Sequence, residues 1–139
     1  MSISLTPNMM TENVNETIQF YCERLGFQFQ MGMPFDSQEP VSSFSPDTPL
    51  QWSMLSCEGA MLMLQERSSI ASDCSLFADM PVAASVSFYL EVDDLDSLLA
   101  GLGDDVKLVV PERTTFYGMR ELWIRDNNGY VVTVAQKAT

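Results

Sequence analysis

Trp52, Tyr89 and the adjacent Phe116 and Tyr117 combine flat apolar area with, in three of the four, a polar tip. Such surfaces suit stacking on a planar or conjugated small molecule, and ordinary core packing is the alternative for each. Phe116 and Tyr117 fall in a loop ahead of an expected strand, where contact with a ligand is favoured over burial. Gln65, Glu66 and Glu91 are the polar side chains suited to a cationic or hydrogen-bonding ligand. A carboxylate in an apolar cleft can also act as a base without metal, because desolvation raises its pKa. Arg120 has two readings: a pair with a ligand carboxylate or phosphate, or a salt bridge to an acid of the protein itself. Ten methionines are many for 139 residues; Met54 and Met63 can form a deformable apolar wall or simply fill core.

What is missing narrows the chemistry further. There is no histidine, which removes the commonest transition-metal ligand, the usual general base of hydrolases, and every Ser/His or Cys/His pairing. Cys22, Cys57 and Cys74 have no CxxC spacing and are odd in number, the pattern of reduced thiols in a reducing compartment. With 19 acidic against 7 basic side chains the formal net charge is −12. That balance argues against a surface made for nucleic-acid phosphates or anionic lipid and is weakly favourable to cationic partners. No apolar run approaches the roughly 18 residues of a membrane span, and the N-terminus lacks a signal-peptide layout, so a cytoplasmic location is expected.

The elements that must position these residues follow from pattern. Asn13 with Glu16 three residues on forms a capping box, Val14, Ile18, Tyr21, Cys22 and Leu25 have helical spacing, and Gly26 supplies a stop. Strands are expected at Ile3–Met10 and Phe27–Met31 around this helix. Pro34, Pro40, Pro46 and Pro49 mark residues 34–50 as a long irregular loop. Gln51–Cys57 and Ala60–Gln65 then read as a hairpin across Glu58-Gly59. After a second loop, Ser68–Ala84, come a strand at Ser85–Val92 and a helix capped by Asp94, carrying Leu95, Leu98, Leu99 and Leu102 and ended by Gly103. Strands at Val106–Val110, Gly118–Ile124 and Tyr130–Ala135 complete the chain.

Each half is therefore strand, helix, then three strands. A shift of 81 positions lays Asn13 on Asp94, Val14 on Leu95 and Ile18 on Leu99. The expected fold is a single α+β domain over residues 1–139. It comprises a first βαβββ module at 1–67, a linker at 68–84 and a second module at 85–139. The two mixed sheets would form a cupped cleft with flanking helices.

The segments Asn13-Val14-Asn15-Glu16-Thr17-Ile18-Gln19-Phe20-Tyr21, Leu25-Gly26-Phe27, Tyr117-Gly118-Met119-Arg120-Glu121 and Asp126-Asn127-Asn128-Gly129-Tyr130 resemble the vicinal oxygen chelate superfamily. That superfamily includes glyoxalase I, bleomycin-resistance proteins, fosfomycin-resistance enzymes and extradiol dioxygenases. The resemblance covers nearly the whole chain and implies the fold without selecting an activity. It implies metal ligands at four cleft positions in the family's metalloenzymes, and strand register places those positions at Thr6, Met61, Ser87 and Thr133. None is a good ligand for a catalytic divalent cation, so no metal and no other cofactor is expected.

Strand parity then gives the cleft face. Met61 brings Met63 and Gln65, and across the hairpin Ser56, Met54 and Trp52; Leu55, Leu62 and Leu64 turn to the helix. In the second half Ser87, Tyr89 and Glu91 face the cleft, as do Val131, Thr133 and Ala135, whereas Phe88, Leu90 and Val92 face the helix. The expected ligand-binding set is Trp52, Met54, Met63, Gln65, Ser87, Tyr89, Glu91, Phe116, Tyr117, Arg120 and Thr133. The first functional expectation is a small-molecule binder similar to bleomycin-resistance proteins, sequestering an aromatic or cationic ligand. The resemblance implies a homodimer for it. The alternatives are a glyoxalase-like lyase or isomerase, or a dioxygenase with an unconventional metal site. A domain whose cleft is closed by side chains is a third possibility.

Overall fold

The computed structural model describes residues 1–83 and 85–139; Ala84, the last residue of the expected linker, lies outside the described residues. Its strands are β1 (Asn8–Thr11), β2 (Gln28–Pro34), β3 (Leu50–Cys57), β4 (Ala60–Glu66), β5 (Ser87–Glu91), β6 (Leu108–Thr114), β7 (Met119–Arg125) and β8 (Val131–Lys137). The helices are α1 (Val14–Leu25), α2 (Arg67–Asp73) and α3 (Leu95–Leu102). The strands form two four-stranded sheets in the orders β1-β4-β3-β2 and β5-β8-β7-β6. In each, the first strand runs parallel to the last and the remaining pairs are antiparallel. The α+β, two-module architecture agrees with the sequence pattern.

Helix α1 starts where expected because the Asn13 side chain accepts a 3.0 Å hydrogen bond from the Glu16 amide. It stops because Gly26 adopts φ 77°, a left-handed conformation from which its N–H reaches the Tyr21 carbonyl. Val14, Ile18, Tyr21 and Leu25 are buried, in the same core as Leu55, Leu62 and Leu64 of the first sheet. Asp94 repeats the cap on α3, accepting from the Ser97 amide. Leu95 and Leu102 are buried in the core that holds Leu122, Ile124, Val132 and Val134. The two helices touch each other, so both modules share one apolar core on the helix side of the sheets. Each large aliphatic side chain buried there contributes roughly 1.5–3 kcal/mol.

Polar contacts fasten the modules together. Tyr130 Oη donates to the Met10 carbonyl at 2.9 Å, and Thr11 Oγ1 donates to Asn128 Oδ1 at 2.7 Å. Arg24 makes a two-pronged pair with Asp105 at 2.8 and 2.9 Å and also donates to the Leu102 carbonyl.

Several expected boundaries need correction. The first strand is Asn8–Thr11 rather than Ile3–Met10: the Met63 N–H bonds the Pro7 carbonyl, but Pro7 has no N–H to return, and Ile3 and Leu5 upstream are exposed. Thr6 thus precedes β1. The second strand runs to Pro34 rather than Met31, and Gly32 forms an isolated bridge with Val41 of the proline-rich loop. Residues expected as linker contain α2, because Glu66 accepts from the amides of Ser68 and Ser69 and so caps a helix. A single 3-10 turn, Ser75–Phe77, follows. The sixth strand lies at Leu108–Thr114 instead of Val106–Val110, with irregular pairing between Leu108 and Arg113 on either side of Pro111.

Candidate functional site

In the first sheet Trp52 lies opposite Gln65, Met54 opposite Met63 and Ser56 opposite Met61, so the expected face is shared as parity required. Asn8 and Met10 of β1 join it opposite Met63 and Gln65, and Met31 and Met33 of β2 join it opposite Met54 and Trp52. Gln65 is the polar centre of this face. It accepts from Asn8 Nδ2 at 2.9 Å and donates to Ser69 Oγ and Asp73 Oδ2 at 2.9 and 3.0 Å. Its amide is thereby committed to holding α2 against the sheet, and the methionines and Trp52 make up the rest of this face. Glu66 is likewise taken up, as the cap of α2.

The second sheet places Ser87 opposite Val131, Tyr89 opposite Thr133 and Glu91 opposite Ala135. On β7 the same face takes Glu121, opposite Ala135, and Trp123, opposite Thr133. Arg113 of β6 lies across from Glu121. Tyr117 comes from the β6–β7 turn, and the exposed Phe116 ring packs edge-on against it with centroids 5.1 Å apart. Tyr89, Arg113, Tyr117 and Trp123 converge on Glu121.

Glu121 is only 1% exposed, and its carboxylate gathers donors from four segments. Tyr117 Oη donates to Oε2 at 3.0 Å and Tyr89 Oη at 3.4 Å, while Trp123 Nε1 and an Arg113 guanidinium N–H reach Oε1 at 3.2 and 3.3 Å. Burial pushes this carboxyl up. Donation from Trp123, Tyr117 and Arg113 and the Arg113 charge outweigh that push, holding it below the usual carboxylate range. Burial and the nearby Glu121 charge move the Tyr89 phenol the other way, upward. A carboxylate held ionised by these donors orients the two phenols and the indole around it.

Sequence reasoning saw Glu121 only as part of a motif beside Arg120. The signal that finds it is parity: Glu121 shares the face of Tyr89 and Thr133, and two tyrosines, a tryptophan and an arginine lie within reach. Arg120, expected among the ligand contacts, points to the helix side, where it bonds Asp96 of α3 at 2.8 Å and Glu112 at 3.0 Å. Adjacent residues on a strand face opposite ways, so Arg120 and Glu121 cannot both address the cleft.

Of the positions that the resemblance implies for metal ligands, Met61, Ser87 and Thr133 lie on β4, β5 and β8, whereas Thr6 precedes β1. Among the described residues no three His, Cys, Asp or Glu side chains come together as a metal site. Glu121 is already saturated by its donors. The residues present do not fit a catalytic divalent cation.

Tyr89 and Glu91 also border a recess of about 920 Å³ walled by Leu25, Phe27, Ala60 and Leu98, at the edge where the modules meet. The other expected contacts lie outside it. No helix of the described residues is long and apolar enough to cross a membrane.

A family model described as the Glyoxalase/Bleomycin resistance protein/Dioxygenase superfamily matches residues 5–134. Protein PA1353 from Pseudomonas aeruginosa superposes with a TM-score of 0.72 at 20% identity, covering 99% of this chain and 100% of that one. A glyoxalase/bleomycin resistance protein/dioxygenase from Nocardioides gives 0.68 at 15%, over 99% and 85% of the two chains. A glyoxalase-related enzyme from Fulvimarina pelagi gives 0.70 at 14%, over 99% and 89%. At these identities the likeness is one of fold. No curated protein sequence matches the chain.

Proposed function

The chain belongs to the glyoxalase/bleomycin resistance protein/dioxygenase superfamily, and within it we propose that this protein is a small-molecule binder that sequesters an aromatic or cationic ligand in a metal-free cleft. The observation that carries the reading is the composition of the two cleft faces. One presents Trp52, Met54 and Met63, the other Tyr89, Trp123 and Tyr117 beside the small side chains of Ser87 and Thr133. Rings and thioethers on a β-sheet scaffold offer area and adaptable shape to an organic ligand. The residues at the family's ligand positions supply neither the charge nor the donor set of a catalytic metal.

The working unit in this reading is a homodimer. Tyr89, Met31 and Met61 are 51%, 41% and 39% exposed on the cleft faces of a single chain, and a second copy laid over them would turn open faces into grooves. Three free thiols and the acidic balance fit a reducing, cytoplasmic setting and cationic ligands.

Native mass spectrometry of the protein gently purified from its own host tests all of this at once. A metal-free dimer carrying an organic adduct is the expected result. A species with stoichiometric divalent metal overturns it and turns attention to lyase, isomerase or dioxygenase chemistry.

A further inference from the structure

Three aromatic polar tips of the second cleft face are oriented by one buried group. Each tyrosine hydroxyl has a single hydrogen and the indole has a single N–H. Those of Tyr117, Tyr89 and Trp123 are all directed at the Glu121 carboxylate. A phenol whose hydrogen is spent in this way shows only lone pairs to an incoming molecule. Tyr89 and Tyr117 are half exposed, so their oxygens are reachable. Exposed Glu91 adds a further acceptor on the same face, and Arg113 contributes a cation to the cluster.

We infer that Glu121 sets the specificity of this face, fixing Tyr89 and Tyr117 as hydrogen-bond acceptors and thereby selecting planar ligands that carry N–H donors, such as amidinium or aryl-amine groups, over planar carboxylates. The inference rests on the ligand-binding reading and sharpens it. Glu121 is a positioning residue here: it acts on the ligand through the two phenols. Its ionised state keeps the arrangement one-directional, because a carboxylate cannot return a hydrogen to either tyrosine. The aromatic walls add attraction for delocalised cations, which is independent of hydrogen-bond direction.

Isothermal titration calorimetry on the full chain tests this with four probes: benzamidine, benzoate, phenyltrimethylammonium, and the neutral planar dye Nile red. The wild type is expected to bind benzamidine at least about tenfold more tightly than either benzoate or phenyltrimethylammonium, the latter being a cation without N–H donors. Tyr89→Phe/Tyr117→Phe keeps both rings and removes both acceptors. It is expected to abolish that preference. In Glu121→Gln the amide N–H₂ can donate to one phenol and free its hydrogen, so the benzamidine-to-benzoate ratio falls about tenfold. Far- and near-UV circular dichroism establishes that each variant is folded, and single Tyr117→Phe serves if the double variant is not. Equal binding of benzamidine and phenyltrimethylammonium, or a benzamidine preference that survives the double substitution, overturns the inference in favour of bulk charge. Nile red binding without any preference overturns it while the ligand-binding reading stands. Failure of all four probes overturns both.

Discussion

Tyr21 Oη donates a 2.8 Å hydrogen bond to Asp126 Oδ2, tying the middle of α1 in the first module to the turn between β7 and β8 in the second. Both residues are buried, and Asp126 also accepts from the amides of Asn128 and Tyr130. Burial raises the Asp126 carboxyl above its ordinary value, with the bond from Tyr21 and those from the backbone opposing the rise. A carboxyl raised in the folded state costs stability because the unfolded chain ionises more readily, so the cost is absent below the ordinary aspartate value, grows as pH rises above it and is complete once pH has passed the folded value. Tyr21→Phe removes a donor to the ionised form. We expect it to lower unfolding free energy by about 1–2 kcal/mol at pH 7 and by less at pH 4, where the carboxyl is closer to neutral. Urea unfolding at the two pH values measures this, and an equal loss at both would contradict the assignment.

Glu121 behaves with the opposite sign. Its folded value lies below the ordinary one near 4.5, because donation from Trp123, Tyr117 and Arg113 outweighs burial. Its stabilising contribution is therefore complete above about pH 4.5 and is lost as pH falls through the folded value. The melting-temperature difference between wild type and Glu121→Gln should be largest near neutrality and shrink steadily below pH 4.5. A difference that stays flat down to pH 3 would mean that the donors do not favour the ionised form.

Much of this molecule was legible because its information is local. Asn13 and Gly26 bound α1 by backbone geometry within a few residues, Glu58-Gly59 fixes the β3–β4 register, and period-2 alternation sorts Met54, Met63 and Trp52 from Leu55 and Leu64. What the pattern missed depends on chain-distant partners. Helix α2, capped locally by Glu66, is anchored by Arg67, which bonds Glu12 far upstream and the carbonyls of Ala78 and Met80. Glu121 escapes notice for the same reason: an acidic residue in sequence reads as solvated. It is buried here because donors arrive from Tyr89, Arg113, Tyr117 and Trp123 on β5, β6, the following turn and β7.

Arg120 provides a negative control inside the same motif. It bridges Asp96 and Glu112 on the helix side of the second sheet, away from the tyrosines. Arg120→Ala should leave probe affinities at the Glu121 face unchanged and lower the melting temperature slightly, more at low salt than at high, since partly exposed ion pairs are screened. Loss of benzamidine binding in this variant, with the fold intact, would place a ligand contact where the structure has a salt bridge.

The duplicated helix starts offer the sharpest comparison between modules. Asn13 accepts from the Glu16 amide and Asp94 accepts from the Ser97 amide, both at 3.0 Å and both three residues ahead, so the local geometry is the same while the capping chemistry differs. Asp94 also takes the Ser97 hydroxyl at 2.7 Å, and these two bonds hold its carboxyl below the ordinary aspartate value. A neutral amide cap has nothing to titrate. Asn13→Ala should therefore cost about 1 kcal/mol at every pH from 3 to 7. Asp94→Ala should destabilise at neutral pH, and its effect should fade as pH drops below about 3.8, because a depressed acid loses its contribution only when it is protonated in the folded state. Thermal unfolding of the two variants across that range separates the cases. Parallel pH curves for both would show that the charge of Asp94 adds nothing to its hydrogen bonds, whereas convergence of the Asp94→Ala curve on wild type at acid pH assigns the difference to ionisation and leaves the shared geometry to account for the rest.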